Sequence, residues 1–186
     1  MLPISRHDRV AVRPDGDDGP TYWVRPATLF ERAAFHRDLA ARGVKIHARE
    51  RLSAALREDL TALAPENLDD LLTLVDLVSA TAPGALDEAE AARFDLVCDV
   101  CRRSGGRFAA VEADHVYWAE MVPLLAAKRF LDGWEGDGLP AFERGRDGVA
   151  DDLLERLDPL HLVQAGWKAW SLMTVTKATE KNSVSP

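Results

Sequence analysis

VAVRPDGDDGPTYWVRPATLFERAAF, residues 10–35, holds the two signals that decide the fold. Val10-Ala11-Val12-Arg13 and Thr21-Tyr22-Trp23-Val24-Arg25 are short extended runs, the second rich in β-branched and aromatic residues. Between them Pro14 to Pro20 is turn chemistry throughout, so the pair predicts a β-hairpin with a long loop. Pro26 stops the second run. Thr28 and Glu31 then stand at capping-box spacing, where the hydroxyl accepts from the backbone N–H three residues on and the carboxylate reaches back. A helix is expected from there to about Arg42, with Gly43 as its stop.

Outward from this stretch the pattern is helical. A second helix is expected over 48–63, ahead of Pro65. In the third, from Asn67, residues Leu68, Leu71, Leu72, Val75 and Val78 recur at helical spacing, and Leu74 and Leu77 fill the flanks. Asp87 and Glu90 open a fourth, which runs to about Arg103 before Ser104-Gly105-Gly106. A long helix follows over 108–130. Pro123 removes a backbone donor inside it and predicts a kink or break. Residues 134–149 are Gly-rich and read as irregular. A short helix is expected over 151–157, and a last one starts with Asp158 as cap and Pro159 in its first turn. The expected architecture is mainly α: an N-terminal β-hairpin followed by a bundle of six or seven helices in one domain, 1–173, with a disordered polar tail, 174–186.

Composition is that of an ordinary globular chain, 47% hydrophobic and 29% charged, with net charge −8. Such an acidic chain repels nucleic acid and anionic lipid at long range, so neither is expected as a partner. No uncharged apolar run approaches the ~18 residues a membrane span needs. MLPISRHDRVAVRP lacks the apolar stretch of a signal peptide, which predicts a cytoplasmic protein with reduced thiols.

Motifs for chemistry are few. Cys98-Asp99-Val100-Cys101 has C-x-x-C spacing, but these are the only thiols, and the motif falls late in a predicted helix beside Phe94 and Val97. A redox pair belongs at a helix N-terminus, where the thiol pKa falls; here two core cysteines one turn apart are expected. His115 follows Asp114 and could act as a base, yet Val111, His115, Trp118 and Val122 share one helical face, which predicts a packed histidine. His36 is placed similarly, and His161 falls in a helical first turn, where a cation is disfavoured. Around Asp15, Asp17 and Asp18 the glycine falls at the wrong place for a calcium loop, and no glutamate closes one. No catalytic residue, metal site or cofactor is expected.

Of five tryptophans, Trp118, Trp167 and Trp170 fit core faces, while Trp23 falls on the hairpin and Trp134 in the Gly-rich segment. A lone hairpin is marginal, so its aromatics need the protein's own helices or a partner to pack on.

Residues 130–142, FLDGWEGDGLPAF, join a helix end to a W-x-G element, a Gly/Pro loop and an aromatic, ahead of a short acidic helix. Together with the opening TYWVRPATLFERAAF this resembles the tail assembly chaperones of long-tailed phages and prophages. It departs from them in the charged, Gly-rich stretch 136–148, where a more regular Pro-aromatic pattern is usual. The resemblance implies a non-enzymatic protein of the bacterial host cytoplasm. It would bind the tape-measure protein, help recruit the tail-tube protein and be absent from the finished particle; self-association is left open. Tyr22, Trp23 and Trp134 are then the expected partner-binding residues. Family members are often made in two lengths by a −1 frameshift, and Glu180-Lys181-Asn182 can be encoded by a slippery heptamer. Two other functions stand beside this one: a tail structural or completion protein kept in the particle, and, in a different class, a small metal-dependent enzyme using Cys98, Cys101 and His115.

Overall fold

The computed structural model describes residues 8–82 and 84–173, the side chain of Arg49 aside. The expected tail and the codons at 180–182 lie outside the described residues. Among the described residues three strands, β1 (Val10–Val12), β2 (Thr21–Val24) and β3 (Leu131–Glu135), accompany seven helices: α1 (Leu29–Ala41), α2 (Arg49–Leu63), α3 (Leu68–Ala80), α4 (Glu88–Ser104), α5 (Arg107–Phe130), α6 (Asp151–Leu154) and α7 (Pro159–Met173). The mainly helical class and the N-terminal hairpin are as expected. The chain divides into two compact units, Val44–Trp118 and the residues on either side of it, with the division falling inside α5.

In the flanking unit the hairpin is the greater part of a three-stranded antiparallel sheet, ordered β1-β2-β3. β2 pairs Val10 with Val24 on one side and Tyr22 with Trp134 on the other, and a bulge falls between Trp23 and Val24. The sequence reading placed Trp134 in an irregular stretch; it belongs to β3. Leu131-Asp132-Gly133-Trp134-Glu135 carries no apolar alternation to announce a strand. Gly133, with φ +149°, lies across from Trp23, and an added Cβ would stand 3.5 Å from the indole.

Sheet and α1 are joined by one residue. The Arg25 guanidinium grips both oxygens of Glu31 (3.0 and 2.6 Å), while Glu31 also accepts from the Thr28 N–H at 2.9 Å. Thr28 Oγ1 in turn accepts from the Glu31 N–H, completing the capping box. The charged cap holds the Glu31 carboxyl down at about 2, chiefly through its bond to Arg25.

Phe35 and Phe130 meet edge to face, and Phe35 also touches Trp170. α7 buries Leu162, Ala165, Gly166, Ala169 and Met173 as one row. α5 continues through Pro123, where the sequence predicts a kink or a break, as one helix. Gly166 is pressed onto that turn: a Cβ there would come within 2.5 Å of the Pro123 carbonyl carbon and 2.7 Å of its Cα.

The Gly-rich stretch after β3 finishes α5. A helix ends with carbonyls that have no partner of their own. Here the Lys128 carbonyl accepts from the Val149 N–H (2.8 Å), the Arg129 carbonyl from Arg144 Nη2 (2.9 Å) and the Phe130 carbonyl from the Arg25 N–H (3.1 Å). Arg144 Nη1 reaches the Leu131 carbonyl and Asp132 as well. A guanidinium is the natural group for the negative end of a helix. Gly148, with φ +113°, lets the loop pass within van der Waals distance of Lys128 and Arg129, where a Cβ would stand 2.9 Å from the Lys128 carbonyl carbon.

The other unit packs α2, α3, α4 and the first turns of α5 around Leu56, Leu60, Leu74, Val75, Val97, Cys101, Phe108 and Val111. Leu77, expected on the flank of the apolar face of α3, is exposed. Asp59 of α2 is buried, and it caps α5 from a distance in sequence: its two oxygens accept from the Arg107 and Phe108 N–H groups, each at 2.9 Å. Gly106 makes room for that carboxylate, since a Cβ would lie 2.5 Å from the Asp59 Cγ. Gly105, in the left-handed region, ends α4.

Candidate partner-binding surfaces

Strand alternation sends Tyr22 and Val24 to one face of the sheet and Trp23 to the other. Tyr22 is 0% exposed. Its hydroxyl shares a 3.2 Å hydrogen bond with His161 Nδ1, and His161 Nε2 lies 3.1 Å from Asp15 Oδ2. Burial raises the Tyr22 pKa, and Asp158 and Asp15 add to it. Asp15, His161 and Tyr22 thus form a line of the kind that activates nucleophiles. But the phenol is sealed from any substrate, so the line ties the hairpin loop and the sheet to α7. Sequence reasoning noted His161 only for its unfavourable helix position; its partners come from 139 and 146 residues away in the chain, out of reach of any local pattern.

Trp134 is also turned inward. Only 8% exposed, it donates from Nε1 to the Pro140 carbonyl at 2.6 Å and meets the Phe142 ring edge to face, with centroids 4.7 Å apart. The W-x-G, proline and aromatic elements therefore close on one another. Of the three expected contact residues, Tyr22 and Trp134 are buried in the core. Trp23, in register between Ala11 and Gly133, keeps a partly exposed ring on the outer face.

Apolar side chains do reach solvent, on the helices. In α1, Leu29 is 73% and Phe30 89% exposed, side by side in the first turn. Phe35 and Leu39 take the buried side of α1, and helical rotation carries Phe30 to the opposite one. In the other unit, Leu96 (67%) and Val100 (56%) stand one turn apart on α4, away from the buried Val97, Cys98 and Cys101.

Cys98 and Cys101 are free, buried thiols. Burial pushes Cys98 up to about 12 and raises Cys101, so both hold their protons at neutral pH, whereas metal binding and thiol attack need the thiolate. His115 stacks on Trp118 at 5.2 Å. The neighbouring Asp114 is taken by Lys45 and His47, each within about 3.1 Å, and these bonds lower its pKa, His47 contributing most. Among the described residues no three His, Cys, Asp or Glu side chains gather where they could hold a metal ion, and no helix is long and apolar enough to cross a membrane. Comparisons with protein-family models, curated proteins and solved structures find no match.

Proposed function

We propose that this protein acts by binding, as a tail assembly chaperone of a long-tailed phage or prophage. It would hold apolar helical stretches of the tape-measure protein, help bring tail-tube subunits to it, and leave before the particle is complete. The observation that carries this reading is the exposed pair Leu29 and Phe30. A phenylalanine left 89% exposed forgoes most of the roughly 2–3 kcal/mol that burying its ring would contribute. Such side chains in a group mark contact sites more often than lone ones do. The pair lies inside the opening segment that carries the resemblance, on a turn held rigid by Arg25, Thr28 and Glu31. A rigid turn orders little on binding, which favours affinity. The excess of acidic residues supports the role too, since it keeps such a complex soluble.

The test is co-expression with the tape-measure protein of the same tail gene cluster, followed by capture on this chain. Wild type should keep the partner soluble and co-purify with it. The double variant Leu29→Ser, Phe30→Ser should lose capture while its melting temperature stays that of wild type. Equal capture by the variant moves the contact elsewhere, and no capture by wild type removes the chaperone reading. Purified particles separate the chaperone from a structural protein, which would remain in them.

A further inference from the structure

We infer that two copies of this chain pair through α4, antiparallel, about a two-fold axis that passes by Leu96. The outward side of α4 carries Ala89, Ala92, Leu96, Val100 and Arg103, spaced by three, four, four and three residues, which is the spacing of a helix–helix seam. All five are exposed, Leu96 and Val100 by 67% and 56%. The apolar centre of the seam is thus open, although the other side of the same helix buries Val97, Cys98 and Cys101.

Two features choose a second copy as the occupant, and choose its direction. First, the seam is asymmetric in size, with two alanines toward its start and Val100 and Arg103 toward its end. Running two copies antiparallel sets Leu96 against Leu96 on the axis, and on either side of it Ala92 against Val100 and Ala89 against Arg103, so that Val100 and Arg103 each meet an alanine. Second, charge is divided along the same helix: Glu88 and Glu90 lie in the first turn, Arg102 and Arg103 in the last. An antiparallel partner brings Glu88 of one copy beside Arg103 of the other, twice by symmetry; a parallel partner would set like against like. Arg102 is already engaged by Glu112 and Asp99, whereas the Arg103 side chain is 82% exposed and, among the described residues, pairs with Asp99 at 3.8 Å. Arg103 is therefore the residue available for the exchange. A contact made by one 17-residue helix from each copy is smaller than the roughly 800 Å² per partner of a stable complex, so the association is expected in the micromolar range or weaker.

Sedimentation equilibrium of the purified chain from about 5 to 500 µM reads it directly. Wild type should follow a monomer–dimer equilibrium. Leu96→Glu, Val100→Glu should weaken it at least about tenfold with an unchanged helical signal, since both residues face solvent in the monomer. Arg103→Glu should weaken it, and adding Glu88→Arg to that variant should restore it. Leu96→Cys, on the axis, should form a covalent dimer under mild oxidation. Val100→Cys should not, because it stands about 12 Å along the axis from its symmetry mate. A wild type that stays monomeric throughout overturns the inference. So does a dimer indifferent to Leu96→Glu, Val100→Glu, or Val100→Cys cross-linking as readily as Leu96→Cys.

Discussion

Gly166→Ala sets helix propensity against packing, and the structure says which wins. In the interior of a helix alanine is favoured over glycine by about 1 kcal/mol, so α7 considered alone is stabilised by the change. But α7 is not alone. The new Cβ would lie 2.5 Å from the Pro123 carbonyl carbon and 2.7 Å from its Cα, where carbons settle at about 3.5–4.0 Å. Backbone blocks it, so no side-chain rotation relieves the clash, and α7 has to retreat about 1 Å at that point. The retreat loosens the whole buried row of Leu162, Ala165, Ala169 and Met173. Overpacking of this kind costs about 1–3 kcal/mol, and a backbone obstacle puts this case at the upper end or beyond. Net of the propensity gain, Gly166→Ala should destabilise by about 2 kcal/mol. For a chain of this size that lowers the melting temperature by roughly 4–8 °C. Urea unfolding followed by circular dichroism measures it, with Gln164→Ala on the exposed side of the same helix as a control expected to change little. A Gly166→Ala variant as stable as wild type would refute the claim that α7 meets the Pro123 turn through glycine.

Four further changes probe the two remote caps and the charged one. Removing the tertiary cap with Asp59→Ala should cost about 2 kcal/mol, because two backbone N–H groups at the start of α5 lose their acceptor. Gly106→Ala should be harmful in wild type and much less so in the Asp59→Ala background, a coupling of at least about 1 kcal/mol in a double-mutant cycle of denaturation midpoints. Arg144→Met keeps the apolar stem but strips the Arg129 carbonyl at the end of α5 and the Leu131 carbonyl just beyond it of their cation. It should destabilise by about 2–3 kcal/mol in urea titration, and a loss below about 0.5 would mean that solvent serves those carbonyls equally well. Glu31→Gln tests the charged cap through pH. The folded carboxyl titrates at about 2, below its ordinary value of 4.5, so its contribution is fully present above pH 4.5 and is lost as pH falls toward 2. Wild type should exceed the variant by about 1–2 kcal/mol at pH 7, after screening of a partly exposed pair, and the gap should close near pH 2.

Where a sequence signal was local, it was legible. The hairpin runs, the Thr28–Glu31 box, Asp158 ahead of Pro159 and the glycine stops all depend on neighbours within a few residues, and all appear where the sequence places them. What escaped depends on distance. β3 exists because β2 offers it an edge; Leu131 and Trp134 alone show no strand period. The loop after β3 looked irregular because glycines and charges carry no period. Yet Arg144 and Val149 are fixed by bare carbonyls of a helix that ends fourteen and more residues earlier. Asp59 looked like one more acidic residue on α2 until α5 presented its first N–H groups to it.

The aromatics show why the candidate site was harder to find than the fold. In the sequence Tyr22 and Trp134 read as contact residues because large rings on a hairpin and in a loop have no local cover. The same lack of local cover is also what an element looks like when distant parts of the chain supply it. Tyr22 finds His161, and Trp134 finds Pro140 and Phe142. Exposure ran the other way for Phe30, which stands in a well-capped helix and is 89% exposed. A ring in an irregular segment must fold something around itself to be stable, whereas a helix stabilised by its own cap and opposite face can leave a ring in water at no structural cost beyond the lost burial. In this chain the regular, well-capped elements are therefore where exposed apolar side chains can persist, and that is why α1 and α4, rather than the hairpin and the Gly-rich loop, carry the surfaces proposed for partners.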